Sequence, residues 1–92
     1  MAVYKTKDIE SALSRKGFQV HHSKHKIYIL YVDGKKTNIF TFVSHGIKEY
    51  GNPLLSKMKR QLHLSGNQFD DLVSCPLSYE RLVEIYTEQN LI

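Results

Sequence analysis

Four of the chain's five histidines fall within residues 18–46, a segment in which apolar and polar residues alternate. Among them, His25 has a lysine on each side, Lys24 and Lys26. An imidazole titrates near neutral pH and can therefore take and return a proton. RNA cleavage needs a base for the 2′-hydroxyl group and an acid for the leaving 5′-oxygen, and lysine ammonium groups stabilise the phosphate charge. His25 is therefore the candidate catalytic residue; the alternative is a surface histidine at a basic strand end.

His45 is a second candidate, because it follows the third predicted strand and is expected near His25. It would serve as a second acid or base or as a phosphate ligand; alternatively, it is a loop histidine that hydrogen-bonds its own backbone. His21 and His22 add two more imidazoles. Zinc sites usually include carboxylate or cysteine ligands, however, and no Asp or Glu is adjacent to any of these histidines. We therefore expect neither a metal site nor another cofactor.

Other common chemistries are not indicated. Ser44 and His45 are adjacent but have no acidic orienting residue beside them, so a hydrolase triad is not expected. The chain has no glycine-rich phosphate loop of the Walker or dinucleotide-binding type. The single cysteine, Cys75, excludes an internal disulfide, and its apolar context before Pro76 indicates a structural role.

The net charge of +4 is the sum of two opposite regions. Residues 1–60 contain twelve Lys and Arg against four Asp and Glu, a net +8, whereas residues 61–92 contain one Arg against five acids, a net −4. A basic body of this kind favours a polyanionic partner, although many small basic proteins are only well solvated.

Basic side chains at strand ends, in a loop and on the predicted second helix are the candidates for binding RNA phosphates. They are Lys24, Lys26, Lys48, Lys57, Lys59 and Arg60. The last three are favoured, because a helix begins just before them and a helix N-terminus attracts anions. Tyr28, Tyr31 and Tyr50 are candidates for base stacking, or else ordinary strand residues.

The elements that must position these residues begin with a helix over residues 7–16. Thr6 is its predicted N-cap, and Gly17 its C-terminal stop. Alternation of apolar and polar residues then predicts a polar turn at residues 21–24 and strands over residues 18–20, 26–32 and 37–43.

Asp33-Gly34 is a strong hairpin signal that allows two registers for the second and third strands. A two-residue loop pairs Val32 with Lys35 and puts Ile29 opposite Asn38. A four-residue loop produces mostly apolar pairs: Val32 with Thr37, Leu30 with Ile39, Ile29 with Phe40 and Ile27 with Phe42. We favour the second register, because such pairs stabilise a sheet. It also places His25 opposite Ser44.

Asn52 as N-cap and Pro53 in the first turn predict a second helix, expected to end near Leu64, before Ser65-Gly66. A short third helix follows over residues 67–74 and is broken by Cys75-Pro76. Ser78 then caps a fourth helix over residues 79–89.

The resulting fold class is α+β, with an α-β-β-β-α core in which two helices cover one face of a three-stranded antiparallel sheet, followed by two short C-terminal helices. This is the layout of double-stranded-RNA-binding folds. The 92 residues are expected to form one domain, with a core over residues 5–75 and an acidic helical extension over residues 76–92. No apolar run approaches a membrane span and the N-terminus has no signal-peptide core, so we expect a cytoplasmic location.

Four segments in a particular order carry a family resemblance. They are RKGF at residues 15–18, SKHKIY at 23–28, VSHG at 43–46 and PLLSKMKRQLHLSGNQF at 53–69. In this order and at this spacing, they resemble the HicA toxins of type II toxin–antitoxin systems over about residues 5–75.

That resemblance implies a double-stranded-RNA-binding-like fold and a metal-independent mRNA endoribonuclease, an mRNA interferase, which a HicB antitoxin blocks. The family's catalytic histidine ends a Gly-Ser-x-His pattern at the start of strand two. The matching residues here are His22-Ser23-Lys24-His25, which gives the role to His25, and His45 matches a histidine often found after strand three. His22 departs from the pattern at its glycine position, and residues 76–92 extend past the family's usual end.

The expected partners are therefore RNA, in particular mRNA, and a HicB-like antitoxin, with homodimerisation left open and no membrane. The acidic extension is open to three interpretations: a self-association surface, a lid over the basic face or an added packing helix. A non-catalytic RNA-binding module on the same fold is the alternative function. A module that binds proteins through an exposed strand or the tail is a third.

Overall fold

Five strands and four helices make up the described part of the computed structural model, which covers residues 4–44, 46–74 and 77–92 and, for Asn52, the backbone alone. They are β1 (Tyr4–Lys5), α1 (Thr6–Arg15), β2 (Phe18–His22), β3 (Lys26–Val32), β4 (Lys35–Val43), β5 (Glu49–Tyr50), α2 (Asn52–Gln61), α3 (Gly66–Ser74) and α4 (Tyr79–Glu88). Strands β2, β3 and β4 form an antiparallel sheet in that order, so the predicted α+β class, three-stranded sheet and four helices are confirmed. In the part of the chain that is described, no helix has the length and apolar character needed to cross a bilayer.

A short antiparallel ribbon of β1 and β5 was not expected from the sequence. It pairs Tyr4 with Tyr50 and Lys5 with Glu49. Two-residue strands are too short to show a period of two, so no pattern indicates them. The ribbon joins the start of α1 to the segment that leads into α2.

The β3–β4 hairpin contains both registers that the sequence allows. Next to the turn, Val32 pairs with Lys35, and Asp33 and Gly34 have φ angles of 54° and 76°. Two positive φ values in a two-residue loop are the type I′ geometry. Farther from the turn the predicted pairs are present, Ile29 with Phe40 and Ile27 with Phe42. The predicted four-residue loop is therefore wrong, while the register at the other end of the hairpin is confirmed.

A β-bulge in β4, where residues 37–39 lie opposite the single residue Leu30 of β3, connects the two registers. The Thr37 hydroxyl group donates a hydrogen bond to the Leu30 carbonyl oxygen at 2.8 Å and accepts one from the Ile39 N–H at 3.2 Å. It thereby pairs backbone groups that the interrupted ladder leaves without partners. Because the slip is two residues and not one, the β4 side chains beyond the bulge keep the faces that the alternation predicts.

Both of the first two helices lie on one face of this sheet. Tyr28 and Thr41 are cross-strand neighbours whose side chains point to that face. The Tyr28 hydroxyl group donates to Glu10 of α1, and the Thr41 hydroxyl group donates to Gln61 of α2. The other face is open, and Phe40 and Phe42 on it are 40% and 39% exposed.

The sequence predicts Thr6 as the N-cap of α1, but in the structure Thr6 is the first residue of that helix. The side chain is buried; the Thr6 N–H donates to the Lys48 carbonyl oxygen at 2.8 Å, and its hydroxyl group donates to the Ile47 carbonyl oxygen at 2.6 Å. Thr6 thus links the start of α1 to the chain before β5. Strand β2 is also longer than predicted, so His21 and His22 lie in it and the turn begins at Ser23.

Helix α2 ends at Gln61, three residues before the predicted end. His63 has a φ angle of 56°, and the Leu64 N–H donates to the Lys59 carbonyl oxygen at 3.0 Å. This is a Schellman motif, in which a left-handed residue ends the helix. The predicted end is wrong because Ser65-Gly66 is the obvious stop signal, whereas His63 takes the conformation more usual for glycine.

The remaining helix ends agree more closely with the sequence. Gly51, not Asn52, occupies the N-cap position of α2, while Ser78 caps α4 by accepting a hydrogen bond from the Arg81 N–H at 3.1 Å. Helix α3 begins at Gly66 and ends at Ser74, as predicted to within one residue. The predicted break at Cys75-Pro76 and the candidate His45 lie outside the described residues.

Helix α4 packs the acidic extension into the common core. Its buried side chains are Leu82, Ile85 and Tyr86. The Tyr86 hydroxyl group donates to the Leu62 carbonyl oxygen at 2.6 Å, and burial raises the pKa of this phenol. At the start of α4 the Tyr79 hydroxyl group donates to the Tyr31 carbonyl oxygen at 3.4 Å, near the hairpin turn. Of the three interpretations of residues 76–92, the added packing helix is the one that these contacts show for the described part.

Gly17→Ala is expected to lower the free energy of unfolding by about 2 to 4 kcal/mol. Gly17 has a φ angle of 91°, and a Cβ atom there would lie 2.6 Å from the ring of Tyr79, the first residue of α4. Gly34→Ala is the matched control, because Gly34 also has a positive φ, 76°, but no atom within 4 Å of the added Cβ. Urea unfolding of both variants checks this; equal losses would contradict the packing of α4 against Gly17.

Candidate active site

His25 lies at the end of a tight turn between β2 and β3. The Ser23 N–H and hydroxyl group both donate to the His25 carbonyl oxygen, at 3.2 and 3.1 Å. This pair of bonds fixes the His25 backbone just before β3 begins. The imidazole is exposed, and its ring centroid lies 6.4 Å from that of Phe42 in an edge-to-face arrangement. His25 therefore belongs to the open face of the sheet.

A shallow cleft of about 290 Å³ joins His25 to β4 and α2. It is lined by His25, Phe42, Ser44 and Lys57. Lys26 pairs with Val43 at the end of β3 and β4, so His25 and Ser44 are the residues next to this pair, as the favoured register predicts. The cleft thus combines a titratable ring, a hydroxyl group, a cation and an apolar wall.

Gln61 holds α2 in the position that brings Lys57 to the cleft. Its side-chain oxygen accepts a hydrogen bond from the Thr41 hydroxyl group at 2.6 Å and a longer one from the Phe42 N–H at 3.4 Å. Lys57 and Gln61 are four residues apart and share one face of the helix. Fixing Gln61 on β4 therefore also places Lys57 on the side of α2 that lines the cleft.

Ser44 is held by the β1–β5 ribbon. Its N–H donates to the Tyr50 hydroxyl oxygen at 2.9 Å, and Tyr50 is 3% exposed. Because Tyr50 is itself paired with Tyr4, the position of Ser44 in the cleft depends on strand β1. Tyr4 in turn donates a short hydrogen bond to Asp70 of α3, which with burial and the aspartate charge raises the pKa of Tyr4 to about 12.

Lys26 is directed away from this cleft. Its ammonium group lies 2.9 Å from a carboxylate oxygen of Glu10 on α1, the same oxygen that accepts from the Tyr28 hydroxyl group at 3.0 Å. Burial and this hydrogen bond raise the pKa of Tyr28 well above its usual range. The ion pair lies on the helix-covered face and anchors the start of β3 to α1. Of these two lysines, Lys57 and not Lys26 lines the cleft with His25.

The other predicted RNA-binding residues are dispersed over the surface. Lys24 is exposed in the turn beside His25, and Arg60 is exposed in the last turn of α2. Lys59 is half-buried, with its ammonium group 5.9 Å from the centre of the Phe69 ring. Lys48 lines a separate open cavity of about 540 Å³ that also contains two carboxylates, Glu10 and Glu49. The structure therefore brings Lys57 to the cleft and Lys24 to its approach, but not the whole basic set.

The three tyrosines proposed for base stacking are not equivalent. Tyr28 and Tyr50 are buried, with 5% and 3% of their surface exposed, so their rings are not accessible to bases. Tyr31 is half-buried on the open face, where its ring stacks on His21 with centroids 6.3 Å apart. For Tyr28 and Tyr50, burial therefore favours the alternative, that of ordinary strand residues.

No three His, Cys, Asp or Glu side chains among residues 4–44, 46–74 and 77–92 are grouped so that they would hold a metal ion. His21 and His22 lie along β2, while His25 lies beyond the turn. His45 follows Ser44 directly but is outside the described residues, so its role stays a prediction.

Phe42 is the site residue that the sequence argument missed. It contacts the His25 ring and lines the cleft, while its neighbours Thr41 and Val43 are fully buried. The signal was present: Phe40 and Phe42 alternate with buried residues, which places both on the face opposite the core. The favoured register, which pairs Ile27 with Phe42 and places His25 opposite Ser44, also puts Phe42 on the face that carries His25.

Comparison with protein-family models, curated proteins and solved structures finds no match to this chain.

Glu10→Gln is expected to lower the free energy of unfolding by about 1 to 2 kcal/mol, because it removes the charge that pairs with Lys26 in a partly buried place. Glu84→Gln is the control, since Glu84 pairs with Arg81 at 3.2 Å on an exposed helix surface. We expect the control to change stability by less than about 0.5 kcal/mol. Thermal and urea unfolding measure both; a Glu10→Gln loss as small as the control's would contradict the anchoring role.

Proposed function

We propose that the chain is a metal-independent endoribonuclease, an mRNA interferase similar to the HicA toxins, whose activity a HicB-like antitoxin restrains. The observation that carries the proposal is the cleft in which His25, Ser44 and Lys57 meet on the open face of the sheet. These side chains supply a proton acceptor, a hydrogen-bonding hydroxyl group and a cation, without a metal ion. That set matches the demands of RNA phosphodiester cleavage.

In the proposed reaction, the His25 imidazole takes the proton of a 2′-hydroxyl group. The 2′-oxygen then attacks the adjacent phosphorus, and the bond from phosphorus to the 5′-oxygen of the next nucleotide breaks. The leaving 5′-oxygen takes up a proton, and the products are a 2′,3′-cyclic phosphate and a 5′-hydroxyl group. The Lys57 ammonium group pairs with the phosphate oxygens, whose negative charge grows in the transition state. We assign the role of the acid to His45, because it directly follows Ser44 in the sequence.

The layout of the core supports RNA as the substrate. The order α1, β2, β3, β4, α2, with both helices on one face, is compatible with a double-stranded-RNA-binding-like arrangement. The basic body adds an electrostatic attraction for phosphates that is independent of sequence. Lys24 and Lys57 are the cations we assign to the scissile region, with Arg60 farther along α2.

A non-catalytic RNA-binding module is the second candidate. One observation favours it: among the described residues, the cleft contains a single histidine, whereas the reaction needs both a base and an acid. In that case Lys57 and the neighbouring lysines bind the phosphate and His25 adds a hydrogen bond or a stacking surface. Salt-sensitive binding without products distinguishes this candidate from the ribonuclease.

His25→Ala is expected to abolish RNA cleavage, a loss of at least about 100-fold, since general acid–base catalysis contributes roughly that much or more. The measurement is the integrity of a defined RNA over time in EDTA, with wild type and variant at equal concentration. His63→Asn is the matched control, because His63 is exposed at the end of α2 and its left-handed backbone suits asparagine. Undiminished cleavage by a folded His25→Ala variant would contradict the assignment.

Lys57→Gln is expected to reduce both RNA affinity and the cleavage rate, with a shallower dependence of affinity on salt, because one phosphate contact is lost. Lys35→Gln is the control, since Lys35 is exposed next to the hairpin turn at the other end of β4. Both substitutions remove one positive charge, so a general electrostatic effect lowers both affinities equally. That equal reduction would argue against a specific role for Lys57.

A further inference from the structure

A row of aromatic side chains runs across the open face of the sheet and ends at His25. Phe40 and Phe42 are two residues apart on β4 and point to the same face, with ring centroids 5.5 Å apart in an edge-to-face arrangement. The His25 ring continues the row at 6.4 Å from Phe42. Ile27 and Ile29, the cross-strand partners of the two phenylalanines, form the base on which the rings rest.

This row is not explained by the core. Its two phenyl rings remain 40% and 39% exposed, whereas the alternate residues of β4, Ile39, Thr41 and Val43, are at most 1% exposed. Leaving two large rings partly in water contributes less to folding than burying them would. An exposed, contiguous apolar surface of this kind is typical of an interaction site.

The charge around the row selects the type of ligand. Phe42 lines three neighbouring clefts, and their lining residues include Lys57 and Lys36 but no Asp or Glu. Around the rings, Asn38, Thr37 and Ser44 supply amide and hydroxyl groups. Carboxylates do line the cavity on the other side of Lys26. The row therefore combines flat apolar surface with cations, which suits a polyanion that carries exposed aromatic groups.

We propose that Phe42 and Phe40 stack unpaired bases of a single-stranded RNA, with the phosphate next to the Phe42-bound base held between His25 and Lys57. Base–aromatic stacking is the usual means by which proteins bind single-stranded nucleic acid without reading its sequence. An intact RNA duplex has its bases stacked inside the helix and cannot present them to these rings. The inference rests on the proposed ribonuclease function and names its substrate class as single-stranded RNA.

The open face thus determines where cleavage occurs. A base on Phe42 places its own sugar and phosphate within the adjoining cleft, where His25 and Lys57 lie. Paired regions of a folded RNA are then excluded, although the core resembles the layout of folds that bind duplexes. The aromatic row and the histidine consequently act on the same nucleotide.

The test measures binding without cleavage. All proteins carry His25→Ala, and the probe is a short labelled RNA, either single-stranded or annealed to its complement, in EDTA at fixed salt. We expect the single strand to bind more tightly than the duplex. Phe42→Leu, which keeps apolar bulk but removes the ring, is expected to weaken single-strand affinity at least about 5-fold. Phe42→Tyr, which keeps the ring, should retain the affinity.

Val20→Ala is the matched control, because Val20 is 37% exposed on β2 but pairs with Tyr28 and so points to the opposite face. It should leave RNA affinity unchanged. Circular dichroism and thermal unfolding establish that each variant folds, and Phe40→Leu provides a second variant on the same row. Equal single-strand affinity of folded Phe42→Leu and the parent overturns the proposal and leaves the row as a surface for a protein partner. Equal affinity for single strand and duplex also overturns it.

The two proposals fail in different ways. Absence of cleavage by the protein with an intact His25, together with ring-dependent binding of the single strand, removes the ribonuclease but retains the stacking surface. Cleavage by the intact protein that is unaffected by Phe42→Leu removes the stacking surface but retains the ribonuclease.

Discussion

The β-bulge in β4 opposite Leu30 is the constraint on which the candidate site depends. Near the turn, Val32 pairs with Lys35, and continuing that register would pair Lys26 with Thr41. The bulge shifts the partner by two residues, to Val43, which brings Ser44 alongside His25 and Phe42 beside its ring. The Thr37 hydroxyl group lowers the energetic cost of this shift, because it forms hydrogen bonds with the Leu30 carbonyl oxygen and the Ile39 N–H. The Thr37 hydrogen bonds, which lie near the turn, thus help to determine the position of the cleft at the other end of the hairpin.

The two faces of the sheet differ in function: one binds the helices, and the other carries the candidate site. On the helix-covered face, Glu10 holds Lys26 and the Tyr28 hydroxyl group, and Gln61 holds Thr41, so the helices are fixed by polar contacts as well as by the apolar core. On the open face, the aromatic row and the cleft remain accessible. Successive residues of an extended chain point to opposite faces, which is why His25, just before β3, reaches the cleft while Lys26, the first residue of β3, is bound to α1. The acidic α4 contacts the backbone of Tyr31 with its first residue, and no residue of Tyr79–Glu88 lines the cleft.

Local sequence signals predicted the elements well and their ends less well. Residues 26–32, Ser78 and Gly17 behave as their types suggest, because an alternating strand, a cap and a glycine stop are determined by nearby residues. Thr6 and His63 do not, since a tertiary hydrogen bond and an unusual left-handed histidine override propensity. For the site, His25 and Lys57 followed from residue type, and Phe42 did not. The favoured register already pairs Phe42 with Ile27, two residues after His25. What no local pattern reveals is the change of register near the turn, where the Thr37 hydroxyl group bonds the backbone.

The central claim is that His25 and its neighbours cleave RNA through the 2′-hydroxyl group without a metal ion. The most direct measurement is mass spectrometry of the ends formed when the wild-type protein acts on a defined single-stranded RNA in EDTA, with a copy carrying a 2′-deoxy sugar at the cleaved nucleotide. The account predicts 2′,3′-cyclic phosphate and 5′-hydroxyl ends, and no cut at the deoxy position. Products with a 5′-phosphate, or cleavage of the deoxy copy, would show that water attacks instead and would contradict the mechanism.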